Sequence, residues 1–385
     1  MGIGTLLARR AVRVAHVLVV ESPGSARLRM LTERALTGRG WSAALSPAEA
    51  DILLVCGNPG PQLTAAIDRV WEQMPGPRAR ASVHSPTGVE FALAQAAQLL
   101  ADDYEQRRDT RDRPPGPPEP ENDPGTHDEG NDDGDEANDV STGHEQMGHG
   151  DMDHSHTDHD DMEMAPNGIA LAEQSEDHDG LTLDALTVPL GPVLAHWPAT
   201  LVLRCTLNGD LIVTADAEWS DADHEPTRRG DDDRPSDDDD VAPRWHAARY
   251  CDDAARLLTV AGWDAAADAA RRHRDALLGS DSTARCAGDI GRTADRISRS
   301  RSLRWALRGL AVPDHGGSEV NLFTRPASWL REAQHILDAG STPRPVTPSS
   351  PASLAERVVG LDIASARMVV AGCAPLLRTK KRDRV

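Results

Sequence analysis

The chain has 385 residues, a formal net charge of −21 and only 3% aromatic side chains. At roughly 150 residues per domain this length suits two domains, with cores of Ala, Leu and Val and eight Trp as bulky anchors. The negative charge argues against nucleic acid and anionic membrane surfaces as partners.

The charge is unevenly placed. Between Asp102 and Pro166 there are 22 Asp or Glu against 4 Arg, so the remainder is nearly neutral and the acidity belongs to a linker. The cysteines Cys56, Cys205, Cys251, Cys286 and Cys373 are scattered, odd in number and without a C-x-x-C pair. That excludes a disulfide framework and the usual zinc or iron–sulfur spacings, and suits a reducing cytoplasm. Arg9, Arg10 and Arg13 break the apolar N-terminus, and no apolar run reaches the ~18 residues of a membrane span. A cytoplasmic protein is expected, without direct membrane insertion and peripheral to the membrane only through partners.

The elements follow in chain order. "VRVAHVLVV" (Val12–Val20) is apolar and of strand length. Ser25 is placed to cap the next helix and Gly38 to stop it. "ADILLVCG" (Ala50–Gly57) reads as a second buried strand. The helix after it starts with prolines and repeats Leu63, Ile67, Val70 and Met74 at helical spacing. "RARASV" is a short third strand, and "GVEFALAQAAQLLADDYEQ" an amphipathic helix. Apolar strands alternating with helices predict a parallel sheet covered on both faces.

From Arg107 the pattern vanishes into Pro-rich and acidic runs that cannot bury enough apolar surface to offset their ordering entropy. Order is expected again near Met164. Leu201–Leu207 and Leu211–Ala217 flank Asn208-Gly209-Asp210, a hairpin signal. An acidic insertion follows, including "RRGDDDRPSDDDD" (Arg228–Asp240). The rest reads as helices over Pro243–Ala261, Trp263–Leu278, Arg285–Leu310, Arg325–Asp338 and Ser353–Leu377.

Two stretches carry a resemblance. "HVLVVESPGSARLRML" with "ADILLVCGNPGPQLTAAIDRVWEQMPGPRA" resembles the small-subunit family of nickel–iron hydrogenases, which includes the cluster-bearing small subunit of respiratory complex I. "VPLGPVLAHWPATLVLRCTLNGDLIVTADAE" is similar to the N-terminal β-region of the partner large-subunit family. The resemblance implies a small-subunit-like module fused to a large-subunit-like one. It implies a flavodoxin-like parallel α/β module over 12–106, a disordered acidic and His-rich linker over 107–163, and an α+β module over 164–378 with a disordered insertion at 221–241. It also places His196-Trp197-Pro198 in a segment that lies near the active cavity of relatives; from the residues alone, His196 is expected to be a satisfied structural side chain.

The departures from the family are chemical. The loop that should carry cluster cysteines reads "ESPGSAR", with Ser22 and Ser25 in that neighbourhood. Serine is a poor substitute for thiolate toward iron. The nickel-binding C-x-x-C pairs are absent too. The expectation is therefore a cofactor-free, non-catalytic homologue, an accessory or structural partner of a respiratory-type redox complex. An active quinone- or hydrogen-linked oxidoreductase would need iron for which the sequence has no ligands. "VVESPGSAR" could alternatively cradle a phosphate, though a plain connecting turn is the expectation. Cys56 is expected to be a small buried hydrophobe. The basic run "RTADRISRSRSLRWALRGL" is expected to be an amphipathic helix with a solvated arginine face, and it could dock an acidic partner or this protein's own acidic linker.

The second function class rests on "MGHGDMDHSHTDHDDMEM". His144, His149, Met152, His154, His156 and His159 offer imidazole for nickel, zinc or copper and thioether for Cu(I). A flexible run binds such ions loosely, since no cage is preformed. It would suit a metal-storing or metal-delivering accessory protein.

Overall fold

The computed structural model describes residues 12–113, 173–176, 182–221, 241–279, 282–314, 316–340 and 350–377. Of these, the residues up to Arg113 and those from Glu173 onward form one compact unit. The two modules read from the sequence thus pack into one body.

The first part is a four-stranded parallel sheet. Its strands are β1 (His16–Glu21), β2 (Ser42–Ala43), β3 (Ile52–Cys56) and β4 (Ala79–Val83), in the spatial order β2-β1-β3-β4. β3 is central, and all five of its residues are buried. That explains its unbroken "ILLVC", because a parallel strand covered on both faces has no solvent side to alternate with. Each such aliphatic side chain contributes about 1.5–3 kcal/mol by leaving water. Leu28, Leu36, Ile52, Leu54 and Leu93 build the core on one face; Leu18, Val20, Leu53, Leu63 and Ile67 build the other.

Helices α1 (Ala26–Arg39), α2 (Pro61–Gln73), α3 (Val89–Ala101) and α4 (Asp103–Asp112) complete this part. α1 runs past Gly38 and stops at Gly40, whose φ of 73° is the left-handed cap that glycine adopts without strain. α4 continues beyond Arg107, where the apolar pattern ends. The Asp102 side chain caps it at Tyr104 and Glu105, and Asp109 receives both Arg78 and Arg113. Caps and ion pairs hold this helix, so hydrophobic periodicity does not reveal it.

The second part opens with an antiparallel sheet of β5 (Glu173–Glu176), β6 (Thr182–Leu190), β7 (Leu201–Asn208) and β8 (Leu211–Trp219). The β7–β8 hairpin turns at Gly209, with φ 62°. Helices α5 (Val241–Val260), α6 (Asp264–Leu278), α7 (Thr283–Ser298), α8 (Arg301–Ala306), α9 (Arg325–Ala339), α10 (Pro351–Val358) and α11 (Ile363–Leu377) form the body, with a small hairpin of β9 (Ala311–Pro313) and β10 (Glu319–Asn321). One core joins Leu201, Cys205, Leu257, Ile290, Trp329 and Val370. Two helices expected to be continuous are broken. Ser300 accepts from the Leu303 amide and starts α8 afresh, and Asp362 accepts from the Ser365 amide ahead of α11. No helix among the described residues is long and apolar enough to cross a membrane.

Candidate functional site

The two parts meet around the N-terminal turns of α1. Glu21 closes β1, Ser22 to Gly24 turn, and Ser25 precedes the helix. Arg29, one turn into α1, is buried and makes three ion pairs. Its Nε donates to Glu21 Oε2 at 2.6 Å, its Nη1 to Glu33 Oε1 at 2.7 Å and its Nη2 to Asp252 Oδ2 at 2.5 Å. Asp252 lies on α5 and is 1% exposed. Arg274, on α6, donates Nη1 to Asp252 Oδ1 at 2.9 Å and also to Glu33, while its Nε reaches Asp275 at 2.9 Å. Arg256 donates to the Trp197 carbonyl and lies 3.8 Å from Glu21.

The electrostatics follow from this alternation. Burial opposes the charge on Arg29, but Asp252, Glu33 and Glu21 outweigh it and push its pKa well above the usual value. Burial likewise opposes ionised Glu33, and Arg29 and Arg274 overcome it, lowering Glu33 to about 2. Asp252 is held well below the usual carboxylate range, with burial opposed by Arg29, Arg274 and Arg256. All of these groups stay charged inside the body because each has opposite charges and hydrogen bonds around it.

Beside the network lies a cavity of about 50 Å³. Glu21, Arg29, Glu33, Arg256 and His196 contribute its polar wall, and Val20, Ala44 and Leu194 its apolar one. It has room for about three water-sized occupants. His196 stands in a left-handed backbone conformation, φ 59°, as does Thr200 at 64°. Such conformations cost a non-glycine residue on the order of 1–3 kcal/mol and persist where surrounding structure enforces them. Here Trp197 enforces it: its Nε1 donates to the Leu201 carbonyl at 2.7 Å, and Arg256 holds its carbonyl. The His196 ring is half-buried, yet its Nε2 is sealed from solvent and has no hydrogen-bond partner among the described residues. Burial, then Arg256, push its pKa down to about 3, so the imidazole is neutral. The sequence suggested a satisfied structural histidine. The structure instead leaves one ring nitrogen unbonded at a polar cavity.

The serine loop is closed. Ser22 is 0% exposed and its Oγ has no partner among the described residues. Ser25 caps no amide with its side chain. Gly57, φ 89°, packs against both: a Cβ there would lie 2.0 Å from Ser25 Oγ and 3.2 Å from Ser22 Cβ. The nearest thiol by sequence, Cys56, is raised to about 12 by burial, only partly offset by its contact with Thr32. A single protonated thiol, two hydroxyls and a filled turn do not fit an iron–sulfur cluster, which is held by several cysteine thiolates. The filled turn equally leaves no cradle for a phosphate.

All five cysteines are free and buried. Among the described residues no group of three or more His, Cys, Asp or Glu could hold a metal ion. The metal ligands expected from the sequence, His144, His149, Met152, His154, His156 and His159, lie outside the described residues. So does the insertion, save its ends Asp221 and Val241. Sequence reasoning singled out His196 but missed Glu21, Arg29, Glu33, Asp252, Arg256 and Arg274. Only the buried apolar neighbours of Arg29 on α1 and of Asp252 on α5 hinted that these charges face inward. No family model, no curated protein and no solved structure matches this chain.

Proposed function

We propose that this chain is a cofactor-free, non-catalytic homologue of hydrogenase and complex I subunits, acting as an accessory or structural partner of a respiratory-type redox complex. The reading rests first on the closed serine loop: where the resembled family has cluster cysteines, this chain has Ser22 and Ser25 against Gly57, with no open space. The strand order β2-β1-β3-β4 suits a flavodoxin-like module, and the β7–β8 hairpin leading into a helical body suits the large-subunit-like half. A scaffold whose two halves are joined by a buried charge network is built for a fixed arrangement rather than turnover.

Anaerobic reconstitution with iron and sulfide tests it. The wild-type chain should retain less than stoichiometric iron after desalting and develop no cluster absorbance. Iron at one or more atoms per chain would sink the cofactor-free reading. Tagged chain should also co-purify with membrane-bound electron-transfer proteins at constant stoichiometry.

A second reading, metal storage or delivery, is favoured by one observation: His144, His149, Met152, His154, His156 and His159 fall within a run of 16 residues. Nickel, copper and zinc are the ions that its donors suit.

A further inference from the structure

We propose that the basic edge formed by the end of α7, the Arg299–Ser300 turn and α8 docks an acidic segment of a partner protein. Arg292, Arg296 and Arg299 line an open groove of about 540 Å³ with Trp263 and Asp295. Arg301, Arg304 and Arg308 continue the positive edge along α8, and all three are exposed. Between them stands Trp305, 78% exposed.

The charges are available. Arg292 pairs with Asp289, and Asp295 lies 3.5 Å from Arg331. Arg296, Arg299, Arg301, Arg304 and Arg308 have no carboxylate partner among the described residues. The chain's negative charge does not cancel this edge in sequence. Residues 102–166 carry −18 and residues 221–240 carry −7; relative to the total of −21, everything else is +4. Residues 378–385 alone supply +4 of that remainder, so the edge is a local feature: five guanidinium groups without a carboxylate partner among the described residues fall within 13 positions, Arg296 to Arg308. Arginine's planar fork matches carboxylates two at a time.

Structure also discriminates among polyanions. One face each of Trp263 and Phe323 is covered by Arg296 at 5.6 Å and Arg304 at 4.9 Å, which leaves Trp305 as the free aromatic of this edge, whereas a single-stranded nucleic acid site stacks successive bases on several rings. A bilayer would need an apolar face to insert. α8 turns Leu303 into the core, Leu307 follows it there, and only Trp305 is left outside. An acidic polypeptide with an apolar side chain for Trp305 uses both features. This inference stands on the arginine edge alone and is independent of the family reading.

The test uses the full chain and a fluorescein-labelled short peptide rich in Asp and Glu with a central Leu, followed by anisotropy at low and high salt. Wild type should bind at low salt and weaken as salt rises. The variant Arg299→Glu/Arg301→Glu/Arg308→Glu should bind about tenfold more weakly or worse. Trp305→Ala, a single surface change that leaves the charges intact, should lose a few-fold. Arg69→Glu, an exposed change on α2, should match wild type. Absence of binding by wild type at low salt would overturn the proposal. So would an equal loss in Arg69→Glu, an undiminished affinity in both edge variants, or phosphatidylserine vesicles or single-stranded DNA bound as tightly as the peptide.

Discussion

His196 concentrates the chemistry of one residue. Its pKa falls from the ordinary 6.5 to about 3 in the folded chain, through burial and then Arg256. The folded state therefore binds fewer protons than the unfolded state between those values. Stability from this residue is complete above pH 6.5 and is lost as pH falls toward 3, by at most about 1.4 kcal/mol per pH unit for one proton. Glu33 adds a second loss only below its ordinary 4.5, as pH falls toward about 2. Urea unfolding of wild type should show stability declining from pH 6.5 to 4.5, and His196→Gln should make that decline shallower, with His246 and His273, also pushed down by burial, supplying the rest. An unchanged slope in His196→Gln would assign the decline elsewhere. Asp221 makes a second residue-scale case. From the end of β8 its carboxylate accepts the Gln62 and Leu63 amides at 2.8 and 2.9 Å, capping α2, while its own amide donates to Gln62 Oε1. Asp221→Ala should cost about 1 kcal/mol in thermal or denaturant unfolding. Gly60→Ala, whose Cβ would lie 2.4 Å from that carboxyl carbon and 2.8 Å from Asp221 Cβ, should cost further stability in either background, and less once Asp221 is Ala.

Between elements, the decisive contact is α1 with α5 and α6. Asp252 serves Arg29 and Arg274 together, so Asp252→Ala removes one carboxylate from each and leaves Arg29 with Glu21 and Glu33 and Arg274 with Glu33 and Asp275. Loss of about 3 kcal/mol is expected, the low end for breaking a buried pair, because both guanidinium groups keep other counter-charges. In an Arg29→Met background the same change should cost less, and a double-mutant cycle by denaturant unfolding gives the difference. Independent, additive costs would mean that the two side chains do not meet. This contact was illegible in sequence: Arg29 and Asp252 are 223 positions apart, and nothing in one chain pairs one arginine with one aspartate among so many. Elements with strong patterns were legible, such as β1, β3, α2, α3 and the β7–β8 hairpin. β2, with two residues, and the β9–β10 hairpin, with three each, are too short to show a period. The breaks before α8 and α11 rest on single polar caps inside runs that otherwise keep helical spacing.

For the whole molecule, the question is which part handles other molecules. Deleting residues 142–164 should leave the thermal unfolding of the folded body unchanged, because its cores are built from residues 12–100 and 185–373. Metal analysis after incubation with nickel, copper or zinc should then separate the two functional readings. Full-length chain should retain loosely bound metal, and the deletion should retain none. Equal metal in both forms would move the donors into the folded body and contradict the His-run assignment. The partner interaction of an accessory subunit should survive the same deletion, whereas a metal-delivery activity should not.

The 223-residue gap between Arg29 and Asp252 also has a consequence for birth on the ribosome. At about 5–20 residues per second, roughly 10–45 s separate the emergence of α1 from that of α5. Once the sheet forms in that interval, the two carboxylates that flank Arg29 in the finished fold, Glu21 and Glu33, are already at hand in its own half. The early half thus carries its own counter-ions while it waits, and Asp252 completes a pairing that has already been partly neutralised.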